Sequence, residues 1–164
     1  MQSKRIPLAY LITFRTYATW LHGDSRGSVD RHHNRYASPL IRPSQEWHRY
    51  KRQLLKQTPV SLTRRQRRCV RAAIRDACSK RAWSIWTLNV RTNHVHVVVS
   101  ANCDPEIVTT AFKAKATRKM REKKCWRSAV TPWARRGSKK YLWTERDVIA
   151  AVCYVEYDQG LSID

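Results

Sequence analysis

Residues 92–99 read Thr92-Asn93-His94-Val95-His96-Val97-Val98-Val99. A run so rich in β-branched side chains predicts a strand, and on a strand alternate side chains share one face. Both imidazoles therefore point the same way, while Val95 points into the opposite layer. The three valines that follow place the pair at the start of a buried strand. Two neutral imidazoles at this spacing chelate one divalent ion and leave room for a third protein ligand and a phosphate oxygen. Taken alone, the motif reads as readily as two polar residues on a strand. The His-x-His-x-Asp-His hydrolase pattern is absent, because Val98 and Val99 stand where its Asp and His belong. The paired His-x-Ser/Thr motifs of two-histidine phosphodiesterases are absent too.

Outward from this stretch, residues 82–90 (AWSIWTLNV) predict a second strand, joined to the first by a tight hairpin at Arg91-Thr92-Asn93. Residues 61–80 predict a helix with Leu62, Cys69, Val70, Ala73, Ile74 and Ala77 on one face. Another face of it carries Arg64, Arg67, Arg68, Arg71 and Arg75, a stripe without interleaved acids that suits phosphate contacts. Residues 8–17 (LAYLITFRTY) predict an opening strand. Between Trp20 and Pro59 lies a turn-rich stretch, read as a long loop insertion at about 20–59 with one short helix near Glu46–Leu55. A loop that long inside a compact domain usually has a functional reason.

After the histidines, Asp104-Pro105-Glu106 opens a helix, with Asp104 as N-cap and Pro105 at the first helical position; it should run to about Lys123. From Lys113 to Lys140 there are twelve Lys or Arg and a single acid, Glu122. Trp126 and Trp133 are expected in the loop that follows, and Lys139–Trp143 as a short closing strand. Basic charge mixed with aromatics suits single-stranded nucleic acid, which needs ion pairs for its backbone and flat faces for its bases. The nucleic-acid-binding candidates are Arg64, Arg68, Arg71, Lys113, Lys115, Arg118, Lys119, Arg135, Arg136, Lys139 and Lys140.

The totals agree with a nucleic-acid partner. The chain has 164 residues, 42% of them hydrophobic, which supports one domain with its own core. Against 33 Lys and Arg stand 12 Asp and Glu, a formal charge of +21. A surplus that large repels itself and is tolerated mainly where the partner is a polyanion. No run of 18 apolar residues exists, so no membrane association is expected and a cytoplasmic, nucleoid-associated location is. The five cysteines include no Cys-x-x-Cys pair and sum to an odd number, which reads as reduced thiols rather than a disulfide framework or zinc ribbon.

The last predicted helix begins at Thr144, a good N-cap, with Glu145 and Asp147 at its positive end and Gly160 suited to its stop. Helical spacing puts Asp147, Ala150 or Ala151, Tyr154 and Asp158 on one face. The small alanines leave the Tyr154 phenol uncrowded. Without the long loop and this last helix, the element order is βαββαβ. The expected fold class is therefore α+β, a ferredoxin-like antiparallel sheet with an extra C-terminal helix carrying the tyrosine.

Thr92-Asn93-His94-Val95-His96 and its valines, followed by a basic helix and a terminal helix with a tyrosine, resemble the HUH single-tyrosine transposases of small insertion sequences. The branch most similar is that of REP-associated tyrosine transposases. Supporting likenesses are the Tyr10–Tyr17 strand, Trp20-Leu21-His22-Gly23-Asp24 with Arg26-Gly27-Ser28, and Tyr141-Leu142-Trp143-Thr144. The resemblance implies a metal-dependent endonuclease and transposase that cleaves and rejoins single-stranded or hairpin DNA. It further implies that His94, His96 and a polar residue of the last helix hold Mg2+ or Mn2+, with Tyr154 as nucleophile forming a 5′-phosphotyrosine. Relatives commonly carry Gln or Asn one turn after the tyrosine; here Asp158 stands there with Gln159 beside it, so both are candidate ligands. The family includes dimers acting in trans, while this branch tends toward monomers acting in cis, so monomer and homodimer both stay open. The alternative function is a domesticated or catalytically inactive protein that binds repeated hairpins.

Overall fold

The computed structural model describes residues 5–27 and 39–158. Two compact units are distinguished, one drawn from Met1–Tyr17 and Ser61–Asp164, the other from Ala18–Val60.

The first unit is built on four strands, β1 (Ala9–Thr16), β2 (Ser84–Val90), β3 (His94–Ser100) and β4 (Trp133–Leu142). They form one antiparallel sheet in the order β2-β3-β1-β4. This is the ferredoxin-like order that βαββαβ connectivity generates. The strand carrying the histidines is therefore interior. Its hairpin is closed by the Arg91 N–H donating to the His94 carbonyl at 2.8 Å, and Thr16 N–H donates to the Asn93 carbonyl at 2.9 Å.

Helices α2 (Arg64–Lys80) and α3 (Pro105–Glu122) cover one sheet face. Fully or nearly fully buried side chains fill the layer between, among them Ile12, Phe14, Val97 and Val99 from the sheet and Val70, Ile74, Val108 and Phe112 from the helices. The α2 helix starts three residues later than its periodicity predicts because Thr63 caps it. The Gln66 N–H donates to the Thr63 hydroxyl at 3.3 Å, and the Thr63 N–H to Gln66 Oε1 at 2.9 Å. In α3 the expected cap is present, with Asp104 accepting from the Glu106 N–H at 2.8 Å.

Two elements differ from expectation. The closing strand is longer than Lys139–Trp143, because Trp133 belongs to it. That indole is 2% exposed, meets the Phe14 ring edge-on at 5.1 Å, and donates to the Lys113 carbonyl and the Thr117 hydroxyl. Its polar middle, Arg135 to Lys140, is tolerated because β4 lies at the sheet edge. Close approach to β1 requires Gly137, where a Cβ would come within 2.5 Å of the Thr13 carbonyl.

The terminal helix is the other. Helix α4 (Glu145–Cys153) begins in a capping box between Thr144 and Asp147, then passes at Tyr154 into a π-turn over Tyr154–Asp158. It packs on the second sheet face, where Val148, Ala151 and Val155 meet Ala9, Val98 and Leu142. Tyr154 and Asp158 thus lie in i→i+5 geometry rather than on the α-helical spacing expected of them.

The unit Ala18–Val60 holds α1 (Gln45–Gln53), close to the short helix expected near Glu46–Leu55. Trp20 donates to the Gly27 carbonyl at 2.6 Å, and Arg26 both pairs with Asp24 at 2.7 Å and covers the Trp20 ring. No helix among the described residues is long and apolar enough to cross a membrane.

Candidate functional site

The two histidines are placed by β3, and their neighbours by its partners. In register, His96 stands between Thr13 of β1 and Asn89 of β2, and His94 opposite Arg15. The imidazoles share a face, their ring centroids 4.6 Å apart. His96 is buried and His94 half-buried.

Each ring is held through Nδ1. His94 Nδ1 lies 2.6 Å from Asn93 Oδ1, and His96 Nδ1 lies 2.7 Å from Thr13 Oγ1. An amide oxygen only accepts, so His94 donates to Asn93 from Nδ1 and keeps its lone pair on Nε2. A hydroxyl serves either role, and when it accepts from His96 the same tautomer results. Engagement of one ring nitrogen by an outer partner is how metal-binding histidines are oriented and made more basic. The chemistry of this pair therefore fits two nitrogen ligands to a divalent ion.

Tyr154 joins them from the π-turn. Its ring meets His96 edge-on at a centroid distance of 5.8 Å and is 40% exposed, so its phenol is reachable from solvent. Tyr157, three residues on, is 74% exposed. Asp158 ends the π-turn and is exposed. Among the described residues no three His, Cys, Asp or Glu side chains come together as a metal-holding group. Gln159 lies outside the described residues.

The basic candidates are spread over several elements. Arg64, Arg68 and Arg71 lie on α2, with Lys113, Lys115, Arg118 and Lys119 on α3. Arg135, Arg136, Lys139 and Lys140 lie on β4. A cleft of about 600 Å³ runs between α3 and β4, lined in part by Lys113, Arg118, Arg121, Trp133 and Arg135. Lys113 and Lys139 are among the cations engaged internally. Lys113 Nζ donates to the Ala134 carbonyl at 2.9 Å, and burial pulls its pKa down. Lys139 pairs with Glu106. Lys140 shares the face of Leu142, the face of α4 and the histidines.

Thr13, Asn89 and Asn93 surround the histidine pair, and the motif itself does not single them out. Asn93 was visible as the residue before His94. Thr13 and Asn89 become neighbours only through sheet register, which no spacing in the chain announces.

Residues 47–152 match the family described as "Transposase IS200 like". Among solved structures the chain is similar to a REP-associated tyrosine transposase bound to a REP hairpin. The TM-score is 0.54 and the identity 13%, over 94% of this chain and 70% of that one. It is also similar to a protein from Deinococcus radiodurans described as a transposase, with TM-score 0.45 and 14% identity over 98% and 99% of the two chains. No curated protein matches the sequence.

Proposed function

Because the chain belongs to the IS200-like transposase family, we propose that it cuts and rejoins single-stranded or hairpin DNA through a covalent tyrosine intermediate. The observation that carries this reading is the meeting of Tyr154 with His96 beside His94. The similar REP-associated transposase is bound to a REP hairpin, which supports a hairpin substrate of that kind here.

Tyr154 is the nucleophile. Its Oη attacks the scissile phosphorus in line, forming a Tyr–O–P bond while the bond from phosphorus to the 3′-oxygen breaks. The phenolic proton leaves to solvent and the departing 3′-oxygen takes one up, so the products are a 5′-phosphotyrosine and a 3′-hydroxyl. The ester keeps the energy of the phosphodiester, and attack by a 3′-hydroxyl reverses the step without ATP. His94 and His96, with Asp158 or Gln159, are the residues that would hold Mg2+ or Mn2+, and such an ion supplies Lewis acidity at the phosphate. Asn93 and Thr13 keep the two imidazoles oriented for that task. The DNA backbone is met by the cations of α2, α3 and β4, and the chain works as a monomer or homodimer, without a membrane. The setting is the bacterial cytoplasm, at the nucleoid. The whole chain acts as one transposase domain with an insertion at about 20–59.

A second reading, for which the charge of +21 speaks equally, is a DNA-binding protein that recognises repeated hairpins without cutting them. The two readings part on one experiment: incubation with a labelled pool of hairpin DNAs and Mn2+, followed by a denaturing gel. Covalent adduct with the wild type and with Tyr157→Phe, but none with Tyr154→Phe, is expected. Adduct that survives Tyr154→Phe and vanishes with Tyr157→Phe would move the nucleophile. Hairpin binding without adduct in the wild type favours the second reading.

A further inference from the structure

A buried asparagine stands beside the histidine pair. Asn89 faces His96 in the β2–β3 register, is 8% exposed, and donates its Nδ2–H to the Val155 carbonyl at 3.3 Å. Its Oδ1 is buried and accepts no hydrogen bond among the described residues. A half-satisfied buried amide costs stability against an apolar side chain of similar shape. For a sheet that only had to fold, it is a poor choice.

What the amide holds is the turn that carries Tyr154. Val155, the next residue, is fully buried, and its carbonyl lies within the π-turn Tyr154–Asp158. Hydrogen bonds spanning five residues are rare in helices and recur at functional sites. A donor from outside the helix, aimed at one carbonyl of such a turn, fixes where the backbone turns and hence where the preceding side chain points. We infer that Asn89 is a positioning residue: it clamps the Val155 carbonyl and so sets the reach of the Tyr154 phenol toward a phosphate held at His94 and His96. The inference rests on the proposed role of Tyr154. Asn89 itself touches neither substrate nor ion. Because it lies opposite His96, the spacing between β2 and β3 gauges the distance between the two halves of the site.

The test uses the full chain and two variants. Asn89→Leu keeps the branched outline, with a somewhat larger side chain, and removes both polar atoms. Asn89→Asp keeps the shape and sets a second acceptor against the Val155 carbonyl. Hydrogen exchange is followed by mass spectrometry, and adduct formation with the hairpin pool is followed across a Mn2+ titration. Amides of Val155–Asp158 are expected to exchange about tenfold faster in both variants, with protection in β2 and β3 unchanged. The adduct rate at saturating Mn2+ should fall about tenfold or more, at an unchanged half-saturating Mn2+ concentration, as for lost positioning. Wild-type exchange and wild-type adduct rate in Asn89→Leu would overturn the clamp. A half-saturating Mn2+ concentration that rises in step with the lost rate would overturn it too, since Asn89 would then belong to the metal site. If the wild type forms no Tyr154 adduct, the functional reading fails, and the exchange measurement alone still decides the clamp.

Discussion

His96 is gripped by the folded sheet itself. Thr13 Oγ1 holds its Nδ1 at 2.7 Å, and the ring is 5% exposed, so its orientation is a property of the folded sheet. Removing such an outer partner from a metal-binding histidine lowers metal affinity by about 10–100-fold. Thr13→Val, which keeps the branch and deletes the hydroxyl, should therefore weaken Mn2+ binding by that factor in calorimetry on the folded protein, and lower the melting temperature by a few degrees because a hydrogen bond to a buried ring nitrogen is lost. Affinity equal to wild type would mean the hydroxyl does not orient a ligand. Lys113 shows how a single contact changes the meaning of a residue. In sequence it is one cation among twelve between Lys113 and Lys140. In the fold its ammonium is tied to the Ala134 carbonyl, joining α3 to β4.

At the scale of elements, α4 depends on its first turn. The Thr144 hydroxyl and backbone, then the Trp143 N–H, hold the Asp147 carboxyl below its ordinary value. A carboxylate held down in the folded state stabilises fully above its unfolded value near about 4, and that contribution is lost as pH falls through the folded value. Wild-type α4 should therefore fray only on strong acidification, seen as faster amide exchange across Glu145–Cys153. Asp147→Asn should show the faster exchange already at neutral pH and little further change on acidification; wild-type exchange in that variant would count against the cap. Strands β1 and β3 and helix α3 were legible in the chain because pattern and punctuation agree there: valine alternation, a tight hairpin, an Asp-Pro start. The start of β4 was not legible, since Trp133 is followed by Arg135 and Arg136, and only the packing of its indole on Phe14 makes that segment a strand. The π-turn was not legible either. Its register involves the Val155 carbonyl and Asn89, 66 residues apart.

Over the whole molecule, a charge of +21 makes DNA binding an exchange of counterions. Affinity for a hairpin should fall on the order of a thousandfold between about 50 and 200 mM salt if six or more phosphates are met. Arg118→Ala should reduce the slope of log affinity against log salt by about one phosphate contact, measured by fluorescence anisotropy, whereas a salt-independent affinity would remove the backbone from the interface. The terminal segment divides its labour residue by residue. Val148, Ala151 and Val155 go into the core, while Tyr154, set between two of them, stays half in solvent. The residue proposed to cut is thus not one that folds the chain. In terms of descent, the proposed role of Tyr154 means that a single codon change there would end strand cutting and leave the folded body whole, so a lineage can lose the chemistry without crossing an unfolded intermediate.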